Sequence, residues 1–380
     1  WFKSSGKKQT SKANKTINGK KYGFDEYGRM VASWYAKDVV ATTTAASTSM
    51  STTDQVQGVA SYSEAFMYFS DPESGARYTK GWFKVVPGYY LHEAKYNDGD
   101  EYWYYADGDG EIYSNVIKTI KGKKYAFDNY GRMISGLVFL EMADNETSSD
   151  IAMKYADDAG TYDKAGYQDN GKTGPYDTED NFDDFVKDHQ DEIASGKVRS
   201  YYFGGSDDGA MKTNKTTVEI DGEKFNFYFE KSGSLKGAGK TGEKDDKYYQ
   251  AGKLLRTGSD EKYQVVVGIK TTVDSKTGAG YKKISDAKEF IGVLYQFNAV
   301  KMGVNDDNVK KLNELGVNKK ADDLSELYIM DYNTDAPADT FFLVNTSGKV
   351  IDSKSKNKDG NDYYYVVQKG GKIVAVYVED

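Results

Sequence analysis

The feature that most constrains what this chain can fold into is an internal repeat. Residues 17–30 read INGKKYGFDEYGRM, and residues 120–133 read IKGKKYAFDNYGRM. A unit that recurs without a set of catalytic residue types serves stacking or binding, and such repeats belong to arrays rather than to a single globule. We therefore expect an array of repeats and not an active site.

The composition indicates that the repeats are built from short strands. Tyrosine occurs 33 times and glycine 39 times, against 4 prolines, which is typical of aromatic strands separated by glycine turns. Hydrophobic residues make up only 38% of the chain, so its core must be thin or distributed along an array. The expected class is mostly β.

Each repeat has the sequence of a β-hairpin. An aromatic pair is followed by a polar turn of Asp, Asn, Ser and Gly and by a short return strand. Looser copies of this pattern occupy residues 201–233, 247–255, 340–350 and 362–374. Because one hairpin is only marginally stable in water, each must bury its aromatic face on a neighbour. We predict a solenoid of stacked β-hairpin repeats with inserted loops and a small helical lobe.

Three insertions interrupt the predicted array. Residues 36–65 are rich in threonine, serine and alanine, which predicts a surface loop. Residues 177–196 predict an amphipathic helix with acidic residues at its N-terminal end, ending before Gly196. The apolar face of this helix would consist of Phe182, Phe185, Val186 and Ile193.

The third insertion, residues 265–335, predicts two helices. Ser285 can cap the first of them, and Asn305 can cap the second, which would run to Gly316. The apolar side chains of the first helix would be those of Ala287, Phe290, Ile291, Leu294 and Tyr295. We interpret this region as a small lobe that covers an exposed end of the array, with partner binding as the alternative.

Charge and cysteine content exclude several classes of protein. The net charge is −8 and the basic residues are scattered, whereas nucleic-acid binding needs a clustered basic face. The absence of cysteine excludes disulfides, thiol catalysis and cysteine-bound metal. No run of about 20 apolar residues is present, so we predict no membrane span. Because Trp1 falls inside a repeat, we expect the natural N-terminus to lie upstream.

Two candidate chemical sites lack residues that their chemistry requires. The run from Asp107 to Glu111 resembles the start of a calcium loop, but Ile112 and Lys118 occupy the sixth and twelfth positions, where glycine and glutamate are required. A solvated β-turn is the better interpretation. His189 lies in an acidic segment without a marked nucleophile. We therefore predict that the chain is not an enzyme and has no catalytic residues, metal or cofactor.

Several short motifs of the sequence resemble the cell-wall-binding repeats of Gram-positive surface proteins, which include choline-binding and glucan-binding repeats. The matching words are GW at 81–82, WYYADG at 103–108, IKGKKY at 120–125 and GRMISG at 131–136, in the family's order. The match is closest over 81–136 and extends to 1–35, with weaker copies at 201–255 and 340–375. It covers roughly half of the chain.

The resemblance implies a solenoid of β-hairpins that is exported and held at the cell surface by its repeats. In the family, aromatic side chains of successive hairpins form cages for wall polymers. Carried over to this chain, the ligand-binding candidates are Trp34, Trp82, Trp103, Tyr104 and Met133. Leu137 stands where an aromatic would complete a further cage. The alternative is that these aromatics form only the core between hairpins.

The predicted organisation alternates repeats with insertions. In chain order it comprises hairpin repeats at 1–35, an insertion and the start of a second repeat group at 36–80, cell-wall-binding-type hairpins at 81–136, an insertion with an amphipathic helix at 137–200, degenerate hairpins at 201–264, an inserted helical lobe at 265–335 and C-terminal hairpins at 336–380.

The sequence therefore predicts a non-catalytic, secreted cell-surface protein that binds teichoic acid, choline or a glycan of a Gram-positive wall. Weak aromatic sites on one array would combine into high avidity. The alternative is an adhesin whose repeats are a scaffold and whose insertions bind a host protein.

Overall fold

A computed structural model describes the chain over residues 1–36, 66–89, 91, 93–143, 149–155, 178–258, 261–273, 276–334 and 340–380. These residues are mostly β, as predicted, and their strands form several small sheets. They divide into two compact units. The first comprises Trp1–Phe182 and Ser200–Lys212, and the second Asp183–Arg199 and Thr213–Asp380. The predicted surface loop lies outside the described residues except for Ala36.

The first unit is built mainly from short antiparallel hairpins. Its elements are β1 (Lys12–Ile17), β2 (Lys20–Phe24), β3 (Ser33–Ala36), β4 (Phe66–Phe69), β5 (Gly81–Val85), α1 (Glu93–Asp98), β6 (Tyr102–Ala106), β7 (Val116–Ile120), β8 (Lys123–Phe127), β9 (Gly136–Met142), β10 (Ile151–Lys154) and most of β11 (Val198–Phe203). Hairpins pair β1 with β2, β3 with β4, β5 with β6 and β7 with β8, while β9 lies between β10 and β11.

The second unit contains longer strands and most of the helical residues that the structure describes. Its elements are most of α2 (Glu179–Asp188), α3 (Gln190–Ser195), β12 (Asn214–Ile220), β13 (Glu223–Phe229), β14 (Gly242–Lys244), β15 (Lys247–Gln250), β16 (Lys253–Leu254), β17 (Tyr263–Val273), β18 (Lys276–Lys283), α4 (Ala287–Gln296), β19 (Val300–Met302), α5 (Asp306–Glu314), β20 (Leu324–Met330), β21 (Phe341–Asn345), β22 (Ser355–Lys358), β23 (Tyr363–Val367) and β24 (Ile373–Glu379). Its sheets have the strand orders β12-β13-β16-β15-β14, β18-β17-β21 and β19-β20-β24-β23-β22.

Two-residue turns close the hairpins that carry the repeated sequence. Asn18 and Gly19 have φ angles of 49° and 80°, and Lys121 and Gly122, at the equivalent place in the second copy, have 48° and 83°. Two successive residues of positive φ form a type I′ turn, whose twist matches that of the flanking strands. Glycine adopts this conformation without steric cost, which explains why both copies of the IxGKK word keep it.

A second recurrent turn is held by an aspartate side chain. Oδ1 of Asp128 accepts hydrogen bonds from the backbone N–H groups of Tyr130 and Arg132, each at 2.9 Å. Oδ2 of the same aspartate accepts the Nε–H of Arg132 at 2.7 Å. Asp25 makes the corresponding hydrogen bonds in the first copy. The duplicated FDxYGRM word therefore encodes the geometry of a turn as well as its tyrosine.

Neighbouring hairpins also pack on one another through turn glycines. A Cβ atom added to Gly75 would collide with the sulfur atom of Met30, which ends the preceding hairpin. The same relation joins Gly209 to Met133 in a later pair of hairpins. Both glycines also have positive φ, at 61° and 56°. Glycine is thus required for two reasons. The turn needs a positive φ angle, and the packed methionine leaves no room for a Cβ atom.

Helices α4 and α5 cover opposite faces of the sheet that contains β23. Tyr365 and Val367 belong to the same buried cluster as Phe290 of α4. Val366, between them, belongs to the cluster that contains Leu312 of α5. Since successive residues of a strand point to opposite faces, the sheet is sandwiched between the two helices.

This arrangement differs from the organisation predicted for the C-terminal region. Residues 265–335 contain both predicted helices, but they also contribute β19 and β20 to the sheet formed by β22, β23 and β24 of residues 336–380. Likewise, β17 pairs with β21. The predicted helical lobe and C-terminal hairpins therefore fold together. Helical periodicity could not reveal this, because the pairing joins strands that are distant in sequence.

The predicted helix starts are correct in one case and displaced in the other. Asn305 caps α5, since its side chain accepts the backbone N–H of Asn308 at 2.9 Å. The prediction of Ser285 as the cap of α4 is wrong. Asp286 is the N-cap instead, and its carboxylate accepts the backbone N–H of Glu289 at 2.8 Å.

The predicted amphipathic helix at 177–196 is divided into two. His189 separates α2 from α3 with non-helical angles of φ −111° and ψ 23°. The predicted apolar residues Phe182, Val186 and Ile193 are buried. The helical segment ends at Gly196, as predicted, and Gly196 has the left-handed conformation at φ 80°.

We predict that Gly278→Ala destabilises the second unit by about 1–3 kcal/mol, the usual cost of overpacking. A Cβ at this position would overlap the carbonyl group of Ala194, because α3 lies directly on β18 there. Gly292→Ala in α4 is the matched control, since nothing lies within 4 Å of its added Cβ. It should stabilise the protein by about 0.5–1 kcal/mol. Urea unfolding measures both changes, and an unchanged stability of Gly278→Ala would contradict this packing.

Candidate ligand-binding site

Strand β6 places its aromatic residues on two different faces. Because side chains alternate along a strand, Trp103 and Tyr105 point to one face and Tyr102 and Tyr104 to the other. Tyr104 is completely buried, whereas Trp103 and Tyr105 are half-buried. Burial raises the pKa of the Tyr104 hydroxyl, which therefore stays protonated. Trp103 and Tyr104, both predicted as cage candidates, therefore belong to different clusters.

One face of β6 contributes to an aromatic cluster, which we call the Trp82 cluster: Trp82, Trp103, Tyr105, Tyr125 and Met133. The ring centroid of Trp82 lies 6.3 Å from that of Trp103, 5.1 Å from that of Tyr105 and 4.8 Å from that of Tyr125, each pair edge to face. Met133 packs against the same group. The residues come from the hairpin β5–β6 and from its successor β7–β8 with the turn that follows.

Backbone contacts explain how the two hairpins meet in the Trp82 cluster. The Asp128 turn reverses the chain after β8, so Met133 pairs back with Phe127. The backbone N–H of Met133 then donates to the carbonyl oxygen of Trp103 at 2.8 Å. Phe127 is completely buried and its ring lies 5.7 Å from that of Trp82, so it forms the floor of the cluster.

The Trp82 cluster keeps apolar surface accessible. Each of its five side chains is half-buried, unlike the floor beneath them. Aromatic faces carry negative charge density that attracts cations, with about 0.5–2 kcal/mol per ring for a well-placed cation. They also offer flat apolar surface. The cluster can therefore hold a compact cationic group or a flat apolar face.

A carboxylate lies at the edge of the Trp82 cluster. Oδ1 of Asp207 accepts hydrogen bonds from Lys84 Nζ at 2.9 Å and from Trp103 Nε1 at 3.1 Å. These hydrogen bonds, above all the one from Lys84, hold the pKa of Asp207 below its usual value. Asp207 is therefore ionised at neutral pH, and it fixes the orientation of the Trp103 ring.

Trp34 lies in a second cluster with a different character. Its centroid is 4.9 Å from that of Tyr104 and 5.3 Å from that of Tyr68. Its Nε1–H donates to the carbonyl oxygen of Val86 at 2.8 Å, and a Cβ on Gly88 would come within 2.9 Å of its ring. The segment after β5 thus packs on one side of Trp34, which is itself half-buried, and these contacts favour a structural role for this residue and for the buried Tyr104.

The two clusters occupy equivalent places in successive repeats. Trp34 is the second residue of β3, after Ser33, just as Trp82 is the second residue of β5, after Gly81. Ile112 pairs with Ala106 in the way that Met133 pairs with Phe127, and Ile112 is buried in the Trp34 cluster. The aromatic arrangement is therefore present twice, and in the first copy segment 86–88 also contacts the tryptophan.

Sequence reasoning missed Tyr105 and Tyr125. Two signals could have identified them. The alternation of strand residues pairs Tyr105 with Trp103 rather than with Tyr104. The duplicated IxGKKY word contains Tyr125 itself.

The acidic run after β6 forms a turn. Oδ1 of Asp107 accepts the backbone N–H groups of Asp109 and Glu111 at 2.8 and 2.9 Å, as in the Asp128 turn. Among the described residues, no three His, Cys, Asp or Glu side chains are grouped so that they could hold a metal ion. No described helix has both the length and the apolar character needed to cross a membrane. His92 lies outside the described residues.

No protein-family model and no curated protein matches the chain. Solved structures of Streptococcus pneumoniae proteins are similar to it. The modular autolysin LytC is 19% identical, with a TM-score of 0.29, over 69% of this chain and 37% of LytC. Choline binding protein F is 16% identical, with a TM-score of 0.21, over 64% of this chain and 57% of that protein. The choline-binding domain of CbpL is 14% identical, with a TM-score of 0.21, over 64% of this chain and 86% of that domain.

These structures are of choline-binding proteins and autolysins, the family that the sequence words also resemble. The chain spans well under two thirds of LytC and of choline binding protein F.

We predict that Trp34→Ala lowers the free energy of unfolding by about 3 kcal/mol or more, because it leaves a cavity among packed rings. Trp103→Ala should lower it by about 1 kcal/mol or less, since Trp103 lies at an accessible edge. Urea unfolding followed by circular dichroism compares the two variants. A larger loss for Trp103→Ala would show that the accessible cluster is the structural one.

Proposed function

We propose that this chain is a non-catalytic, exported surface protein that binds a polymer of the Gram-positive cell wall through its aromatic hairpins. The observation that carries the proposal is the Trp82 cluster. Its five side chains come from successive hairpins and are half-buried, and the ring of Trp82 lies 4.8–6.3 Å from the rings of Trp103, Tyr105 and Tyr125. Two tryptophans therefore keep part of their surface accessible within one aromatic group.

The ligand would be choline on a teichoic acid, or a glycan, as the resemblance of the repeat words implies. A trimethylammonium group fits between rings that present their faces and edges to one space. A sugar ring can lie flat on the same aromatic surface. Of the residues predicted from sequence, Trp82, Trp103 and Met133 are the ones we assign to binding, together with Tyr105 and Tyr125.

The hairpins would stack as a solenoid that presents this site in a rigid setting. The repeated contact between a turn glycine and the last residue of the preceding hairpin supports such stacking. Several weak sites on one array would combine into an avidity far above the affinity of any single site. Attachment would then be strong although each site is weak.

The alternative function is that of a scaffold whose non-repeat regions bind a host protein. One observation favours it: Tyr295, Phe297 and Met302 are exposed within one short segment of the second unit, at 59%, 37% and 51% of their surface. Single exposed apolar residues are ordinary on protein surfaces, whereas neighbouring ones mark contact sites more often.

Sedimentation with purified Gram-positive cell walls tests the proposal. We expect the wild-type chain to be retained and the double variant Trp82→Ala/Trp103→Ala to lose most of its retention, about tenfold or more, because two aromatic faces are removed. Soluble choline or a soluble glycan should compete, which identifies the ligand. Tyr96→Ala is the control, since Tyr96 is 48% exposed on α1 and outside the cluster.

Equal retention of the wild type and the double variant would exclude the Trp82 cluster as the site. No retention of the wild type, with capture of a host protein that depends on Tyr295 and Phe297, would favour the alternative.

A further inference from the structure

The edge of the Trp82 cluster already holds a positive charge that belongs to the chain. The ammonium nitrogen of Lys84 lies 5.7 Å from the centroid of the Trp103 ring, within the range of a cation–π contact. Lys84 stands on β5 opposite Trp103, because the two residues are directly paired across the hairpin. The side chain therefore occupies a position that a cationic ligand would also seek.

Asp207 holds both partners of this contact in place. Its Oδ1 atom accepts from Lys84 Nζ at 2.9 Å and from the indole N–H of Trp103 at 3.1 Å. The aspartate comes from the turn after β11, whereas Lys84 and Trp103 belong to the hairpin β5–β6. One carboxylate thus links a ring and a cation that lie far from it in sequence.

The three contacts differ in how easily they can be broken. The side chains of Lys84 and Asp207 are 37% and 73% exposed, and an exposed ion pair contributes little to stability. A ligand can therefore displace Lys84 at small cost. The hydrogen bond from Trp103 to Asp207 does not involve the lysine, so the carboxylate would remain beside the ring after Lys84 has left.

We propose that Lys84 is a tethered cation which occupies the face of Trp103 in the free protein, and that a quaternary ammonium group displaces it and takes Asp207 as its counter-ion. This inference rests on the proposed function and adds two specificity-determining residues to it. The displaced ammonium group moves into water on its flexible stem, where it is well solvated.

This exchange predicts a preference between ligand types. A cationic ligand gains the ring face and the negative charge of Asp207 together, and so it can replace Lys84 at both contacts. A neutral sugar gains no ion pair, and it must leave Lys84 in position or leave Asp207 without a cationic partner. The ion pair of Lys84 with Asp207 therefore lowers the affinity of the site for every ligand, and it lowers the affinity for neutral ligands most.

Titration with tetramethylammonium chloride tests the proposal, at constant total salt because sodium chloride also screens the pair. The chain has four tryptophans, so the indole N–H signal of Trp103 can be followed by NMR. We expect Lys84→Met to bind the probe about two- to tenfold more tightly than the wild type, because the tethered competitor is removed. The variant Lys84→Met/Asp207→Asn should lose most of this gain, because the counter-ion is neutral.

The matched control is Lys95→Met, which breaks the ion pair of Lys95 with Asp98 on α1, at 3.1 Å, with a lysine that is 34% exposed. It should bind the probe as the wild type does. The proposal is overturned if Lys84→Met binds the probe no more tightly than the wild type, if the double variant keeps the full gain, or if no variant responds.

The result is separable from the proposed function. Loss of cell-wall retention with an intact response to the probe would refute wall binding and keep the exchange of Lys84. Retention on cell walls without any response to the probe would refute the exchange and leave a neutral ligand for the Trp82 cluster.

Discussion

The packing of a turn glycine on the last residue of the preceding hairpin is the contact on which the hairpin array depends. Gly75 lies on Met30, Gly209 on Met133 and Gly110 on Arg77, where an added Cβ would come within 2.7 Å of Arg77 Nε. A two-stranded hairpin cannot bury its own aromatic face, so its stability comes from its neighbour. The glycine allows the neighbour to approach, and the positive φ of the turn allows the chain to reverse there.

Contacts between successive hairpins also assemble the candidate site. The backbone N–H of Met133 donates to the carbonyl oxygen of Trp103, and Tyr125 and Met133 pack in the same cluster as Trp82. The equivalent residues around Trp34 assemble in the same way, and there the segment after β5 also packs against the tryptophan. The repeats thus supply the aromatic group, and the connection after β5 adds contacts to one copy of it.

Much of the local structure could be predicted from the sequence, because turn residues act over a few positions. The duplicated word correctly indicated hairpins, and Asn305 was correctly assigned as a cap. Among the candidate site residues, Trp103 and Tyr104 are adjacent in sequence but point to opposite faces of β6, so they belong to different clusters. The C-terminal region was predicted as separate segments, because the pairing of β17 with β21 joins residues about 80 positions apart.

By itself, the sequence determined the class of the fold and the position of its turns, since each depends on the conformational preference of a few neighbouring residues. Only the tertiary structure decided which aromatics pack together and which other segments contact them. Burial depends on segments that approach from elsewhere in the chain, such as residues 86–88 over Trp34 and the Asp207 turn beside Trp103. No local pattern of residues encodes those approaches.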